Sequence, residues 1–417
     1  MLVWTRVDII LLSKLRKLPD NKWLNKWVTR LRQDQSLRDA LFVFVLTRSL
    51  IFIIFICVGH LVVHTEAATP TISVRDAFVS FEKVQIARQL RETMWRADVA
   101  HYNVLAREGY LRQPFDIENH RSRQFAFFPL HPLLLWLLSN VTKDLMIWGA
   151  AMSNLFLFIG LLFLHKLTLA FGYDQQIARR TIFYCATFPV SYFFSVPLTE
   201  ALFLMLTVAS FYAAKKENWW AAGAIGALAS ATRVNGVLLF PALLVLSWQM
   251  YRSLHIKKII GLILVPVGLW AYMLYSWWAC GDPLAFRHAV AHWGRKTDFL
   301  LTAFFKYLIH PHTILEPWNF HLLNAAAALL CFVCVYFLVR RREWALAAYG
   351  FLAMFLPLSS GLLQSQDRYA LVVFPMYMGL AIVAKSERVD TTIRYVFVTI
   401  LAIMTALFAA NYTIAVV

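Results

Sequence analysis

The longest polar stretch between apolar segments, residues 64–124, holds the side chains best suited to chemistry in water. Asp98, His101 and Tyr102 lie within five residues of one another there, and Trp95 precedes them. An acid, a histidine and aromatic rings can bind a polar substrate and move a proton, whereas most of the remaining chain is suited to lipid. We therefore expect the functional site to include this stretch.

The chain surrounding that stretch has the composition of a membrane protein. Of its 417 residues, 60% are hydrophobic and 15% are charged, and the apolar residues form blocks long enough to cross a bilayer. The sequence predicts an all-α polytopic membrane protein. No glycine-rich phosphate loop, H-E-x-x-H motif, G-x-S-x-G motif or fixed repeat occurs in it, which removes the usual nucleotide-binding, zinc-protease and hydrolase interpretations.

Part of the net charge of +17 comes from the amino-terminal residues. Residues 1–40 contain nine lysines and arginines against four aspartates, with apolar residues interleaved at helical spacing. This pattern predicts a basic amphipathic segment that lies on the anionic cytoplasmic surface of the membrane. No nucleic-acid motif accompanies it, and we expect no nucleic-acid partner.

The apolar blocks predict about eleven membrane-spanning helices between residues 41 and 417. The predicted spans are 41–63, 145–167, 181–197, 199–215, 219–235, 236–251, 258–279, 320–339, 344–360, 369–385 and 394–415. Basic residues fall in alternate connections, which places the amino terminus in the cytoplasm and the carboxyl terminus outside. Two extracytoplasmic loops follow, 64–124 and 280–319, and the segment 127–138 either dips into the outer leaflet or spans the membrane.

This topology places several isolated ionisable residues on the outer side. Such groups are costly near lipid and are usually retained for function, so we expect them to gather in one outward-facing site. The residues are Asp98, His101, Glu200, Arg233, Asp282, Arg295, Asp367 and Arg368.

Five short motifs in order resemble the PIG-V-like mannosyltransferases of the GT-C glycosyltransferase superfamily. They occur across roughly residues 90–385, and Ala97 stands where that family usually has tryptophan before the aspartate. The motifs are Asp98-x-x-His101-Tyr102 with Phe127-Phe128-Pro129-Leu130, Pro197 to Glu200, Arg233 to Gly236, Asp282-Pro283 with Trp293-Gly294-Arg295, and Arg368-Tyr369. The resemblance implies a GT-C-like bundle and an inverting transfer of a hexose, most often mannose. The donor would be a polyprenyl-phosphate sugar, and the acceptor a lipid or glycan on the extracytoplasmic face.

That reaction assigns roles to the predicted residues. Asp98 is the candidate base that takes the acceptor's proton, because an aspartate is ionised at neutral pH. The candidate phosphate-binding residues are Arg233, Arg295 and Arg368. The candidate substrate-binding residues are His101, Tyr102, Phe128, Glu200, Asp282, Trp293 and Tyr369.

Each assignment has a structural alternative. Asp98 could be one of several acids in a solvated loop, and His101 could form a structural hydrogen bond. Glu200 could begin a helix, and Asp282 with Pro283 could form a turn. Arg368 could reach lipid headgroups from the end of a span.

Two other functions remain open from the sequence: a polytopic transporter of lipid or sugar, and a non-catalytic subunit of a glycosyltransferase complex. The sequence requires no cofactor and predicts no metal site, and it leaves dependence on a divalent metal undecided. We expect a multi-pass protein of a prokaryotic plasma membrane, or of the endoplasmic reticulum if the source is eukaryotic.

Overall fold

The computed structural model describes residues 33–66, 86–253, 256–296, 298–299, 302–309, 320–412 and 415. Most of the predicted basic segment 1–40 lies outside these residues, as do parts of the predicted loops 64–124 and 280–319. Helices and their connections make up the described residues, and no strand occurs among them.

Eighteen α-helices occur in the described part of the chain. In order they are α1 (Gln35–Glu66), α2 (Ile86–Met94), α3 (Val99–Glu108), α4 (Leu130–Ser139), α5 (Leu145–Ala170), α6 (Gln175–Thr187), α7 (Glu200–Lys215), α8 (Trp219–Ser230), α9 (Leu239–Tyr251), α10 (Ile256–Ile259), α11 (Val267–Cys280), α12 (Ala285–Ala289), α13 (Thr302–Ile309), α14 (Phe320–Arg340), α15 (Trp344–Leu358), α16 (Gln366–Leu371), α17 (Phe374–Val383) and α18 (Glu387–Ala409). Five 3-10 helices accompany them: His120–Ala126, Ser191–Ser195, Val234–Leu238, Ile260–Leu264 and Val290–Trp293.

Six helical segments of the described chain are long and apolar enough to cross a membrane. They are Gln35–Leu61, Leu145–Ala170, Val234–Tyr251, Ile260–Cys280, Leu322–Arg340 and Glu387–Ala409. The prediction of an all-α polytopic membrane protein is confirmed. Shorter apolar helices such as α4, α15 and α17 lie between these segments, and the number eleven stays a prediction.

Some predicted spans are interrupted helices. The predicted span 181–197 consists of the end of α6, a break at Phe188 and the 3-10 helix Ser191–Ser195. Phe188 has ψ of 141°, outside the helical region, and the following residue is Pro189. A proline disfavours the helical conformation of the residue before it, which explains why α6 ends there.

Helix starts coincide with polar capping residues. Asp144 accepts a hydrogen bond from the backbone N–H of Ile147 at 3.2 Å, and Asp174 accepts one from Ile177 at 2.8 Å. These side chains satisfy backbone donors that the first helical turn leaves without a partner. The helices α5 and α6 therefore begin where the sequence supplies a cap.

Small residues allow α8 to contact its neighbours through the backbone. A Cβ atom added at Gly223 would stand 1.9 Å from the carbonyl oxygen of Gly261, and one at Gly268 would stand 2.0 Å from that of Ala227. Ser230 donates a hydrogen bond to the carbonyl of Val265 at 2.6 Å. The small residues of α8 therefore serve close helix packing.

Buried ion pairs connect helix ends on the side that the sequence predicts to be cytoplasmic. Asp390 in α18 accepts hydrogen bonds from Arg180 at 2.9 Å and from the hydroxyl of Tyr184 at 2.7 Å. Asp39 in α1 accepts one from Arg179 at 2.8 Å. The helix α6 is therefore held to the first and last long helices through neighbouring arginines.

An arginine lies buried in the middle of the first long helix. The guanidinium group of Arg48 donates to the carbonyl oxygens of Ala186 at 2.7 Å and Ser191 at 2.9 Å. It also donates to the hydroxyl groups of Ser191 and Ser195. Within the described chain Arg48 forms no ion pair, so neutral oxygens of α6, of the 3-10 helix Ser191–Ser195 and of the neighbouring Thr47 satisfy this charge.

Candidate active site

Four charged side chains from distant parts of the chain meet in one cluster. Arg368 donates from Nη1 to Oδ2 of Asp98 at 3.0 Å, and from Nη2 to Oε1 of Glu200 at 2.8 Å. Its Nε also donates to Oε1 of Glu200, at 3.2 Å. Arg233 donates from Nη2 to the same oxygen at 3.3 Å. Two arginines thus share one carboxylate oxygen, and one of them reaches Asp98.

Breaks in the helices position the members of this cluster. Asp98 precedes α3 and follows Ala97, whose φ is 51°, while Glu200 is the first residue of α7. Arg233 is extended, with φ of −152°, between α8 and the 3-10 helix Val234–Leu238. The chain turns back closely there, because a Cβ atom on Gly236 would stand 2.3 Å from the carbonyl carbon of Ala229.

The cluster borders a cavity of about 400 Å³. Asp98, Arg233, Arg295 and Arg368 contribute its charged lining, and Glu200 lies behind them with no exposed surface. Including Glu200, two carboxylates face three guanidinium groups, which leaves one positive charge in excess. Such a cavity favours an anionic ligand.

Aromatic rings form one wall of the cavity. His101 stacks on Phe127 with ring centroids 4.7 Å apart, and Trp293 meets Phe127 edge to face at 5.8 Å. Tyr102 packs against the same ring of Phe127 at 5.1 Å. Flat apolar faces beside charged groups suit a ligand that has both a ring and an anionic group.

Tyr369 separates two of the arginines. The guanidinium carbons of Arg233 and Arg295 lie 5.6 Å and 5.5 Å from the centroid of its ring. Arg295 also donates to the hydroxyl of Ser360 at 3.2 Å and to the carbonyl of Gln364 at 3.1 Å. Within the described chain Arg295 forms no ion pair, so it supplies the excess positive charge.

Two titratable groups of the aromatic wall are neutral at pH 7. Burial lowers the pKa of His101, and Arg123 lowers it further against the opposing effect of Asp98. Burial raises the pKa of the Tyr102 hydroxyl. Asp98 is the carboxylate that lines the cavity, and its Oδ1 receives no hydrogen bond from the described residues.

The structure brings most of the predicted site residues together. Those that line the cavity are Asp98, His101, Tyr102, Phe128, Arg233, Trp293, Arg295, Arg368 and Tyr369. Glu200 contacts the arginines rather than the cavity. Asp367 is buried with its backbone N–H bonded to Asn324, and it does not line the cavity.

Asp282 lies apart from the cavity. Its carboxylate accepts a hydrogen bond from the backbone N–H of Leu284 at 2.9 Å and contacts the ring of His288 at 2.6 Å. The aspartate fixes the turn between α11 and α12, which is the structural alternative that the Asp-Pro pair offered. The helix α12 that follows this turn still contributes Phe286 to the cavity lining.

Other cavity residues were not predicted. Phe127 adjoins the predicted Phe128, and Asn235 follows Arg233 in the same motif, so their positions offered a signal. Gln364 and Ser365 line the cavity only because the chain turns before α16, with φ of 60° at Ser365. No residue pattern marks these two positions.

Fold and site together define a multi-pass, all-helical membrane protein with a cationic, aromatic-walled cavity. The chain is 27% identical over 165 residues to GPI alpha-1,6-mannosyltransferase 2 of Cricetulus griseus, which covers 37% of this chain and 31% of that protein. It is 26% identical over 186 residues to the protein of the same name from Homo sapiens, with 42% and 35% covered. The chain thus matches about a third of the length of these relatives.

These similarities confirm the predicted resemblance to PIG-V-like mannosyltransferases, as a weak similarity over about 40% of the chain. No family model matches the chain.

Proposed function

We propose that the protein is an inverting mannosyltransferase. It transfers a mannosyl group from a polyprenyl-phosphate donor to a hydroxyl group of a lipid- or glycan-linked acceptor on the extracytoplasmic face. The observation that carries the proposal is the Asp98 carboxylate, held by Arg368 at a cavity that Arg233 and Arg295 also line. A proton acceptor and phosphate-binding groups therefore share one binding space.

The arginines support a phosphate-leaving reaction. As the bond between sugar and phosphate breaks, negative charge grows on the phosphate oxygens, and guanidinium groups bind such oxygens strongly. Arg295 is the first candidate because it neutralises no carboxylate of the described chain. In this proposal the arginines stabilise the leaving group, and no step is assigned to a metal ion.

The aromatic wall supports binding of a sugar. The exposed faces of rings such as Trp293 and the stacked His101 can pack against the C–H groups of a hexose. Because His101 and Tyr102 are neutral at pH 7, they act through hydrogen bonds and packing rather than through charge.

The proposed step has a simple balance of bonds. The acceptor oxygen forms a bond to the anomeric carbon as the bond from that carbon to the phosphate oxygen breaks. The acceptor's proton passes to Asp98, and polyprenyl phosphate leaves with the electron pair. One displacement inverts the configuration at the anomeric carbon, and no covalent intermediate with the enzyme is needed.

The test is transfer by the purified full-length protein in lipid nanodiscs. Polyprenyl-phosphate mannose with radiolabelled mannose is the donor, and the total lipid extract of the source organism supplies the acceptor. We expect label to move to an acceptor lipid, and Asp98→Asn to reduce the rate by about 10²- to 10⁴-fold. Glu118→Gln is the matched control, because Glu118 is an exposed acid of the same predicted loop.

Two results would count against the proposal. Absence of transfer by the wild-type protein from this donor would remove the proposed activity. An Asp98→Asn rate within a few-fold of wild type would remove Asp98 as the base.

A further inference from the structure

Glu200 cannot contact a ligand in the cavity directly. Its side chain has no exposed surface, and its Oε1 accepts all three hydrogen bonds that Arg233 and Arg368 donate to it. Its other oxygen, Oε2, has no hydrogen-bond partner among the described residues. Any effect of Glu200 on the cavity must therefore pass through the two arginines.

Arg368 is held unequally by its two carboxylate partners. Its Nε and Nη2 both bind Glu200, whereas only Nη1 binds Asp98. The Glu200 side chain is 0% exposed, and the Asp98 side chain is 29% exposed. An ion pair open to water is weakened by solvent, while a buried pair with two hydrogen bonds is not. The contact with Asp98 is thus the one that a ligand can replace.

We propose that Glu200 is a positioning residue that fixes Arg368, and that Nη1 of Arg368 exchanges Asp98 for a phosphate group when a prenyl phosphate binds. Glu200 keeps its hydrogen bonds to Nε and Nη2 throughout the exchange. Oδ2 of Asp98, released from Arg368, can then contact the acceptor hydroxyl. The role of the released carboxylate rests on the proposed function, whereas the exchange itself does not.

The exchange sets the sequence of events in the reaction. While Arg368 binds Asp98, the hydrogen bond from Nη1 occupies Oδ2 of the carboxylate. Once phosphate occupies Nη1, the base and the leaving group are both ready, and an acceptor hydroxyl can be deprotonated. In this proposal Oδ2 of Asp98 is released only after the donor has bound.

The exchange predicts that Asp98 competes with phosphate for Arg368. We expect Asp98→Asn to tighten binding of farnesyl phosphate to the full-length protein by about fivefold or more, measured by calorimetry in detergent. Arg368→Lys keeps the charge but loses the planar guanidinium group that binds Glu200 through Nε and Nη2 and Asp98 through Nη1. In the Arg368→Lys background, Asp98→Asn should therefore give a smaller gain in affinity, the part that comes from removing a negative charge.

Glu200→Gln has the opposite expected effect. It removes a negative charge, which by simple attraction would tighten phosphate binding, but it also releases Arg368 from its anchor. We expect weaker binding, by about fivefold or more, and partial recovery in Glu200→Asp. Thermal unfolding of each variant reports on folding, and Glu118→Gln should bind like wild type. If Glu200→Gln does not fold, the exchange is still tested by comparing the effect of Asp98→Asn in the wild-type and Arg368→Lys backgrounds.

If Asp98→Asn and Glu200→Gln both bind farnesyl phosphate more tightly than the wild type, the loss of negative charge alone explains the change in affinity. That result would overturn the positioning role of Glu200. A gain from Asp98→Asn that is equally large in the Arg368→Lys background would overturn the exchange. Both outcomes are read from phosphate binding, so they are distinct from a failure of mannosyl transfer by the wild-type protein.

Discussion

Arg233 and Arg295 carry the same charge on the same cavity but have different partners. Arg233 binds the buried Glu200, and its Nη1 has no hydrogen-bond partner among the described residues. Arg295 binds the neutral oxygens of Ser360 and Gln364. Loss of Arg233 leaves part of a buried negative charge uncompensated, whereas loss of Arg295 leaves neutral acceptors.

We predict that alanine substitution mainly lowers stability at Arg233 and mainly weakens donor binding at Arg295. Arg233→Ala should destabilise the protein by up to about 3–5 kcal/mol, since it removes one partner of a buried ion pair. Arg295→Ala should destabilise the protein less. It should raise KM for the donor about tenfold or more, because one charge-assisted hydrogen bond to the donor is lost. Thermal unfolding and donor titrations of both variants measure the two effects. Equal unfolding temperatures with an unchanged KM for Arg295→Ala would contradict this division.

At the residue scale the sequence identified the cluster but not its contacts. Asp98, Arg233 and Arg368 were predicted because ionisable residues are rare beside apolar segments. The pairing of Arg368 with Asp98 joins residues 270 positions apart, and no local pattern records such a contact. Glu200 was predicted to touch substrate, and only the fold shows that it binds arginines instead.

At the scale of single elements, the start of α3 depends on an unusual backbone angle. Ala97 has φ of 51°, in the left-handed region that side chains other than glycine disfavour. The chain turns there so that Asp98 directly precedes α3 and lines the cavity.

We predict opposite effects of two substitutions at this position. Ala97→Gly should keep transfer activity and raise stability by up to about 1 kcal/mol, because glycine adopts positive φ readily. Ala97→Val should lower both stability and transfer, since a β-branched side chain strongly opposes this angle. Ala106→Gly within α3 is the matched control, and it should lose about 0.5–1 kcal/mol. Thermal unfolding and transfer assays measure these changes. A lower unfolding temperature for Ala97→Gly than for the wild type would contradict the strain that we assign to the positive φ of Ala97.

Helix boundaries were the least predictable elements. Runs of apolar residues predicted continuous spans at 181–197 and 219–235, yet both contain breaks. The break after α6 has a local cause in Pro189, which the sequence displays. The break after α8 depends on Gly236 packing against Ala229, a tertiary contact that hydropathy does not encode.

At the scale of the whole molecule, the predicted membrane topology depends on the positions of the basic residues. Basic residues mark the ends of helices such as α7 at Lys215 and α14 at Arg340. The ten residues of α4 extend about 15 Å, half of the roughly 30 Å hydrocarbon core, which favours a dipping segment over a span at 127–138. The all-helical class followed from composition alone, whereas the number of spans did not.

We predict that epitope tags at residues 1, 216 and 341 are cytoplasmic and that tags near residues 116, 295 and the carboxyl terminus are outside. Accessibility of each tag to antibody or protease in sealed and permeabilised cells measures its side. A protected, cytoplasmic carboxyl terminus would mean that 127–138 crosses the membrane or that another span was miscounted.

The buried Arg48 also constrains how the protein is made. Its acceptors, on Ala186, Ser191 and Ser195, are synthesised about 140 residues after it. An unpartnered arginine at the centre of a helix costs about 2.5–3.5 kcal/mol on insertion. Until the segment 186–195 emerges from the ribosome, the first helix carries that cost alone. The first helix therefore gains these acceptors for Arg48 only with the third predicted span, 181–197.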